Sequence, residues 1–355
     1  MTLTPTLDKL YAADLNELER YAATLPNTRM MAIAKIEVLL QLNMRYERIM
    51  LNRNLDTHPY ELVRQLLQDA RRSLAAWADT RFIEADTPPL QRLPMQLEES
   101  HEKLFQQLWV KFSSPDYEQR IERYLHRLRI NKLGRPWMEG KRCIDFGCGH
   151  GNFAHALLRE GARSVVGIDF GRASIDYALR ARDALGVSPE QIDFVLGSVY
   201  QVPFADDSFD FAIQNGVFHH LDDEDRAISE MHRVLAPGGW MWYYTDGSGG
   251  ISYDLWDASV RILAQVPQEL IISHLEYLNI ETGKRYHLGD GLNAVYRHTS
   301  WQELTTRLSR LGFGEFKRLV GGFPTDFDHD IIALDKYGRE KFGEGDLRLL
   351  ARKIG

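Results

Sequence analysis

The chain has 355 residues, 44% of them hydrophobic and 26% charged, which suits a soluble globular protein of more than one domain and excludes a disordered or collagen-like chain. Its net charge of −7 disfavours a nucleic-acid backbone as the main partner. The N-terminal stretch lacks the basic-then-apolar order of a secretory signal, no apolar run reaches the ~18 residues of a membrane span, and Cys143 and Cys148 fall in one short segment, so the expectation is a cytoplasmic protein in a reducing compartment.

Up to about residue 135 the pattern is helical. Residues 28–53 carry almost no Gly or Pro, and their apolar residues (Met30, Met31, Ile33, Ile36, Val38, Leu39, Leu40, Leu42) exceed one narrow stripe, which predicts burial on two sides. A second helix is predicted over 60–78, after His58-Pro59, with Thr57 as its cap. Residues 84–94 read as a loop, and 95–112 and 116–132 as two more helices. In the last, Ile121, Tyr124, Leu125 and Leu128 form one apolar stripe. Gly134-Arg135-Pro136 reads as a linker.

Beyond it, short β-branched and aromatic runs alternate with helical stretches, the signature of a parallel α/β sheet. Strands are predicted at 142–146, 164–168, 192–196, 209–214 and 239–244, with two more near 314–320 and 330–335. Helices fill 151–160, 172–185, 223–235 and 300–311, and residues 246–298 read as an insertion over the carboxyl edge of the sheet, where ligands bind in open α/β folds. The expected division is an all-α region, 1–134, serving as lid, dimer contact or both, followed by an α/β domain, 135–355, that carries the insertion as a substrate cap.

The sharpest local feature is Asp145-Phe146-Gly147-Cys148-Gly149-His150-Gly151, directly after a predicted strand and before a helix. Alternate glycines let the backbone turn tightly and approach a ligand, with helix N–H groups facing it. The dinucleotide fingerprint G-x-G-x-x-G fails here, because its third glycine position is Asn152. An acid two places before the first glycine suits a cationic ligand group better than a pyrophosphate. Asp169 ends the next strand, where a carboxylate accepts hydrogen bonds from both ribose hydroxyls; alone it would read equally as a helix N-terminal acid beside Gly171, but paired with the loop the nucleoside reading prevails.

Residues 143–151 (CIDFGCGHG), 165–169 (VVGID), 203–210 (PFADDSFD), 215–223 (NGVFHHLDD) and 230–239 (EMHRVLAPGG) resemble, in order and spacing, the successive motifs of class I S-adenosylmethionine (SAM)-dependent methyltransferases. The resemblance implies a seven-stranded, mostly parallel sheet of order 3-2-1-4-5-7-6 with the seventh strand antiparallel. It implies SAM as methyl donor and S-adenosylhomocysteine as product. Asp145 would meet the methionine ammonium, and Gly147, Gly149 and Gly151 would line the methionine moiety. Asp169 would take the ribose hydroxyls and Phe170 would pack on adenine. Ser198 and Val199 stand at the adenine-contacting positions, although Ser198 departs from the family's Asp. Asn215 and Gly216 would border the cofactor. Ala236-Pro237-Gly238-Gly239 would form the turn into the fifth strand.

Methyl transfer from a sulfonium needs alignment and, for a protonated nucleophile, a base. His219 and His220 are the base candidates, with shaping of the cofactor pocket as their alternative role; Tyr286 and His287 in the insertion form a second group, beside the aromatic and polar residues Asp246, Tyr253 and His298. No metal is expected: Asp326, Asp328, His329 and Asp330 read as a polar loop. Arg120, Arg123 and Arg127 read as a solvated helix flank. The expected function is methyl transfer to oxygen or nitrogen, with sulfur or carbon second, of a small molecule. RNA or protein methylation and non-catalytic SAM binding are the rival readings. Partners are the small-molecule substrate and a second copy through the N-terminal helices, with neither a membrane nor nucleic acid expected.

Overall fold

The computed structural model describes residues 9–80, 90, 114–280 and 282–354. The helix expected over 95–112 and nearly all of the 84–94 loop lie outside the described residues. The chain divides into two compact units: Met1–Met95 with Gly249–Val295 and Ile332–Gly343, and Gln96–Ser248 with Tyr296–Ile331 and Glu344–Gly355.

The second unit is built on one seven-stranded sheet: β1 Arg142–Phe146, β2 Ser164–Asp169, β3 Ile192–Leu196, β4 Phe209–Asn215, β5 Leu235–Asp246, β6 Phe313–Arg318 and β7 Asp346–Lys353. Their order is β3-β2-β1-β4-β5-β7-β6, with β7 antiparallel to both neighbours and the remaining pairs parallel. Apolar clusters cover both faces, one with Cys143, Phe211, Ile213 and Trp242 and the other with Ile144, Phe146, Met241 and Tyr243. That two-sided burial explains why β1 reads as a nearly unbroken apolar run. The crossovers reverse between β1 and β4, the switch point at which an open α/β sheet leaves a crevice at its carboxyl edge. Helices Asn152–Arg159, Arg172–Ala184, Glu224–Val234 and Trp301–Arg310 fall where predicted. The last is fixed by a full capping box between Ser300 and Glu303.

The final strand departs from expectation. Residues 330–335 form no strand; His329–Ala333 is a short helix, and the seventh strand is Asp346–Lys353. Its Leu347, Leu349 and Ala351 point to one face, the period-2 pattern that marks a strand, whereas the four apolar residues Ile331 to Leu334 run consecutively without alternation. Helix Ser114–Ile130 also belongs with the sheet rather than with an N-terminal helical half. Its stripe (Ile121, Leu125, Leu128) is buried and Tyr124 stacks on Phe153 at 4.4 Å, so residues 134–136 do not part the two units.

In the first unit, helices Ala12–Thr24, Arg29–Leu51 and Pro59–Asp79 share one apolar core with Ile251–Ile262, Gln268–Tyr277 and Thr282–Asn293. The 246–298 segment is therefore mostly part of a helical unit of its own with the N-terminal helices. Arg29–Leu51 is buried on two sides, as its composition predicts. Thr28 caps it, whereas the cap of the next helix is His58, whose Nδ1 accepts from Tyr60 N–H at 3.2 Å, one residue on from Thr57. Segment 332–343 is tied in by Lys341, fully buried. Its Nζ donates to both Asp335 oxygens (2.8 and 3.1 Å) and to the Asn52 carbonyl (2.7 Å), while Tyr46 and Ser252 hydroxyls donate to its own carbonyl. Removing one member of such a pair strands a buried charge. Asp335→Ala is therefore expected to lower stability by about 3–5 kcal/mol, read as a drop in the urea midpoint, and Asp335→Asn to lose less.

Candidate functional site

Gly147, Gly149 and Gly151 all adopt left-handed backbone (φ +71°, +52° and +79°), which only glycine takes readily. Their surroundings differ. A Cβ on Gly147 would lie 2.6 Å from Val217, and one on Gly151 2.3 Å from the Phe194 ring, so these two are packed against their neighbours. A Cβ on Gly149 would meet nothing within 4 Å: this glycine faces open space. The loop is pinned from below by the Ile168 carbonyl, which accepts from Gly147 and Cys148 N–H.

Asp145 lies in β1 between Gly167 and Ile213, 3% exposed, and among the described residues no hydrogen bond or ion pair reaches its carboxyl. Burial, with a smaller contribution from the charge of Asp169, pushes its pKa up to about 7. Asp169, also buried, accepts from Gly149 N–H at 2.9 Å and from Gly171 N–H at 2.8 Å. It thus braces the glycine loop against the end of β2 and turns the chain into the next helix. Phe170, beside it, is 40% exposed. Ser198 is exposed and accepts from Tyr200 N–H, while Val199 is buried. Asn215 ends β4, its amide oxygen accepting from Trp242 Nε1 at 3.1 Å, and Gly216 (φ +78°) leaves its Cβ position 3.1 Å from the Tyr244 ring. All ten positions lie in the sheet unit, at the carboxyl ends of β1 to β4 or in the loops just beyond.

His219 and His220 are buried directly after β4, their Nε2 atoms 3.1 Å apart. His219 Nδ1 accepts from Asp246 N–H (3.3 Å) and lies 3.2 Å from Thr245 Oγ1. That assigns the His219 proton to Nε2, from which it is donated to His220. Tyr296 packs its ring on both. Both nitrogens of His219 are thus engaged, Nδ1 joining the segment after β4 to the end of β5 and Nε2 meeting His220. Tyr286 and His287 belong to the helical unit on Thr282–Asn293; the Tyr286 side chain lies outside the described residues, and His287 is exposed with its ring against Trp256 at 4.6 Å.

A network that sequence reading missed sits on the same sheet face. Arg127 is 7% exposed, not a solvated flank. It donates to Asp326 Oδ1 at 2.6 Å and to the Gly321 carbonyl, joined there by Arg123 (3.1 Å) and Arg348 (3.4 Å). Burial pushes the Asp326 carboxyl up, but the three guanidiniums outweigh it and hold it below its ordinary range. The Arg348 guanidinium lies over the Tyr244 ring at 4.3 Å. Asp328 accepts backbone N–H groups of Gly321, Asp330 and Ile331, and His329 pairs with Asp330, so this polar run is spent on turn and ion-pair contacts. Opposite charges in the sequence 118 to 127 gave the only hint, and their partners are some 200 residues away.

Residues 144–243 match the family model of a methyltransferase domain. Among curated relatives, the chain is 28% identical over 49% of its length to the fatty-acid O-methyltransferase of Mycolicibacterium smegmatis, covering 61% of that protein. It is 34% identical over 35% of its length to phthiotriol/phenolphthiotriol dimycocerosates methyltransferase 1 of Mycobacterium ulcerans, covering 44% of it. It is also 34% identical over 37% of its length to the sterol 24-C-methyltransferase of Aspergillus fumigatus, covering 34% of it. The chain thus spans less than two thirds of the length of each.

The contrast between the glycines is testable without any ligand. Gly151→Ala combines left-handed strain of about 1–2 kcal/mol with an overpacking cost of about 1–3 kcal/mol against Phe194, whereas Gly149→Ala carries the strain alone. Urea unfolding is expected to rank Gly151→Ala clearly below Gly149→Ala; equal losses would contradict the packing role of Gly151.

Proposed function

We propose that this chain, which carries a class I SAM-dependent methyltransferase domain, binds SAM at the carboxyl edge of its sheet and transfers the methyl group to an oxygen or nitrogen of a small molecule, with sulfur or carbon as second choices. The observation that carries the reading is Asp145: a buried carboxyl with no partner among the described residues, at the switch point, under a loop whose Gly149 faces open space. A carboxylate in that setting is destabilised until a cation arrives, and the ammonium of an amino-acid moiety supplies one.

The residues present fit the group. Asp145 would hold the ammonium, Gly147 and Gly149 the methionine chain at backbone distance, Asp169 the ribose and the exposed Phe170 the adenine, with Ser198, Val199, Asn215 and Gly216 along the border. Gly151 supports this cradle through Phe194. When bound, SAM supplies an activated methyl whose departure leaves a neutral thioether, so the chain's own task is alignment and removal of a proton. His219 and His220 are the base candidates; both nitrogens of His219 are engaged, and His220 would have to release the His219 hydrogen bond at its Nε2 before that nitrogen could take a proton. Relatives named for fatty-acid, phthiotriol and sterol methylation favour a small apolar acceptor over a macromolecule. No helix among the described residues is long and apolar enough to cross a membrane. A cytoplasmic homodimer joined through the N-terminal helices, with the insertion as acceptor-binding element, completes the proposal; a monomer by light scattering would remove the dimer.

Titration calorimetry tests the donor. Folded protein that gives no heat with SAM or S-adenosylhomocysteine overturns the reading. Asp169→Ala is expected to weaken binding by about 1–3 kcal/mol; unchanged affinity would mean that the ribose lies elsewhere.

The pH dependence follows from Asp145. In the free protein its pKa is raised to about 7, and pairing with an ammonium favours the ionised form, so SAM affinity is expected to rise from pH 6 to pH 8 and then level. Asp145→Asn should bind weakly and without that rise. Stability runs the other way. Between the ordinary 3.8 and about 7, the folded state holds the proton that the unfolded chain releases, so ligand-free stability falls as pH rises through this window. At pH 8, ligand-free Asp145→Asn should melt above the parent protein, by differential scanning calorimetry.

A further inference from the structure

Helix Ser114–Ile130 does more than cover the sheet: its first turn reaches the glycine loop. The Tyr117 hydroxyl, buried with its ring, donates to the His150 carbonyl at 2.8 Å. In return the Asn152 amide, one residue past the loop, donates to the Tyr117 carbonyl at 3.3 Å. The Tyr117 ring meets His155 edge-on at 5.9 Å, and Tyr177 lies against both Tyr117 (5.8 Å) and the His150 ring (4.4 Å). Glu118 pairs with Arg159 at 2.9 Å, and Tyr124 stacks on Phe153, so the helix is fastened along helix Asn152–Arg159, which follows the loop. Burial holds the Tyr117 hydroxyl far above its ordinary pKa, so it stays a hydrogen-bond donor.

The two halves of the loop are held by different means. The inner half rests on β2: the Ile168 carbonyl and the Asp169 carboxylate take the N–H groups of Gly147, Cys148 and Gly149. His150 comes after these anchors. Its carbonyl belongs to the peptide shared with Gly151, a residue that tolerates either hand of backbone. The N–H of that peptide turns back to the Cys148 carbonyl inside the loop, and its carbonyl is tied to the outside by Tyr117. We propose that Tyr117 is a positioning residue of the donor site, latching the outer half of the glycine loop, through the His150 carbonyl, in the shape that receives the methionine part of SAM. The proposal rests on the SAM reading above. Without the hydroxyl the loop populates further shapes, and the affinity of a ligand that needs one shape falls by the fraction lost. Under the same reading the nucleoside part meets Asp169 and Phe170, so its binding does not pass through the latch.

The probes are S-adenosylhomocysteine and methylthioadenosine, which keeps the nucleoside and the thioether but lacks the amino-acid end, titrated into the full chain by calorimetry. Tyr117→Phe is expected to weaken S-adenosylhomocysteine about three- to tenfold, the range of one lost hydrogen bond, and to leave methylthioadenosine unchanged. Tyr46→Phe is the control for general destabilisation: it deletes a buried hydroxyl in the helical unit, bonded to the Lys341 carbonyl at 3.1 Å, and should lower the melting temperature without changing either affinity. In the ligand-free protein, amide hydrogen exchange over residues 147–151 should be faster in Tyr117→Phe than in the parent. Unchanged S-adenosylhomocysteine affinity in Tyr117→Phe, an equal loss for methylthioadenosine, the same loss in Tyr46→Phe, or unaltered exchange would each overturn the proposal. A parent protein that binds no SAM overturns the methyltransferase reading, and the donor role of Tyr117 with it. The exchange measurement reads the latch itself without ligand, so the two failures are told apart.

Discussion

The Asp145 carboxyl sits inside the sheet with an apolar cluster on its face and no hydrogen bond among the described residues to offset its burial. Much of the surrounding structure follows from keeping it there. β1 is central, so that Asp145 lies between Gly167 on one side and Ile213 on the other. Three left-handed glycines must follow, because a loop with side chains would fill the space above the acid or collide with Val217 and Phe194. Asp169 then has to be near enough to brace the loop through Gly149 N–H, and its charge adds to the pressure on Asp145. The free protein stores a destabilised group at the point where a cationic ligand group would relieve it. That is the usual relation between site strain and binding.

The inner strands of the sheet were legible in the sequence because they are largely buried on both faces, whereas β3 at the edge exposes Asp193 and Leu196. β1, β2, β3 and β4 announce themselves as short apolar runs, and the capping box at Ser300 marks a helix start by chemistry alone. β7 was not legible at first reading. Asp346–Lys353 interleaves charged residues with leucines, and Arg348 and Lys353 are buried only because Asp326, Asp346, Asp207 and the Leu235 carbonyl meet them. A charge that reads as exposed in a sequence becomes a core residue once a partner far along the chain neutralises it.

The helical unit shows the same limit on a larger scale. Two of its three separated segments share one core, and the third is tied to them by Lys341, whose ammonium and carbonyl gather Asp335, Asn52, Tyr46 and Ser252. Periodicity located helix Arg29–Leu51 and its two buried sides. It could not tell that residues 251–293 would join those helices, since amphipathic helices carry no record of which apolar face they will meet. Helix Ser114–Ile130 illustrates the converse: its apolar stripe was correctly read, and its owner, the sheet, was not.

The candidate site divides along the same line. The proposed donor-binding residues follow one another at fixed spacing on consecutive strand ends, so sequence order nearly determines their geometry. The proposed proton-transfer residues depend instead on pairs that sequence leaves undetermined. His219 and His220 look equivalent as letters, yet Asp246 N–H and Thr245 engage one nitrogen of His219 and His220 the other. Two adjacent histidines are thereby made unequal by a backbone donor 27 residues away. Tyr244 completes this asymmetry. Its ring lies under Gly216 on one side and carries the Arg348 guanidinium on the other, and its hydroxyl donates to Asp246. The segment whose N–H fixes the His219 tautomer is thus itself in contact, through Tyr244, with the buried arginine network of Arg348, Asp326 and Arg127, remote from the glycine loop in sequence.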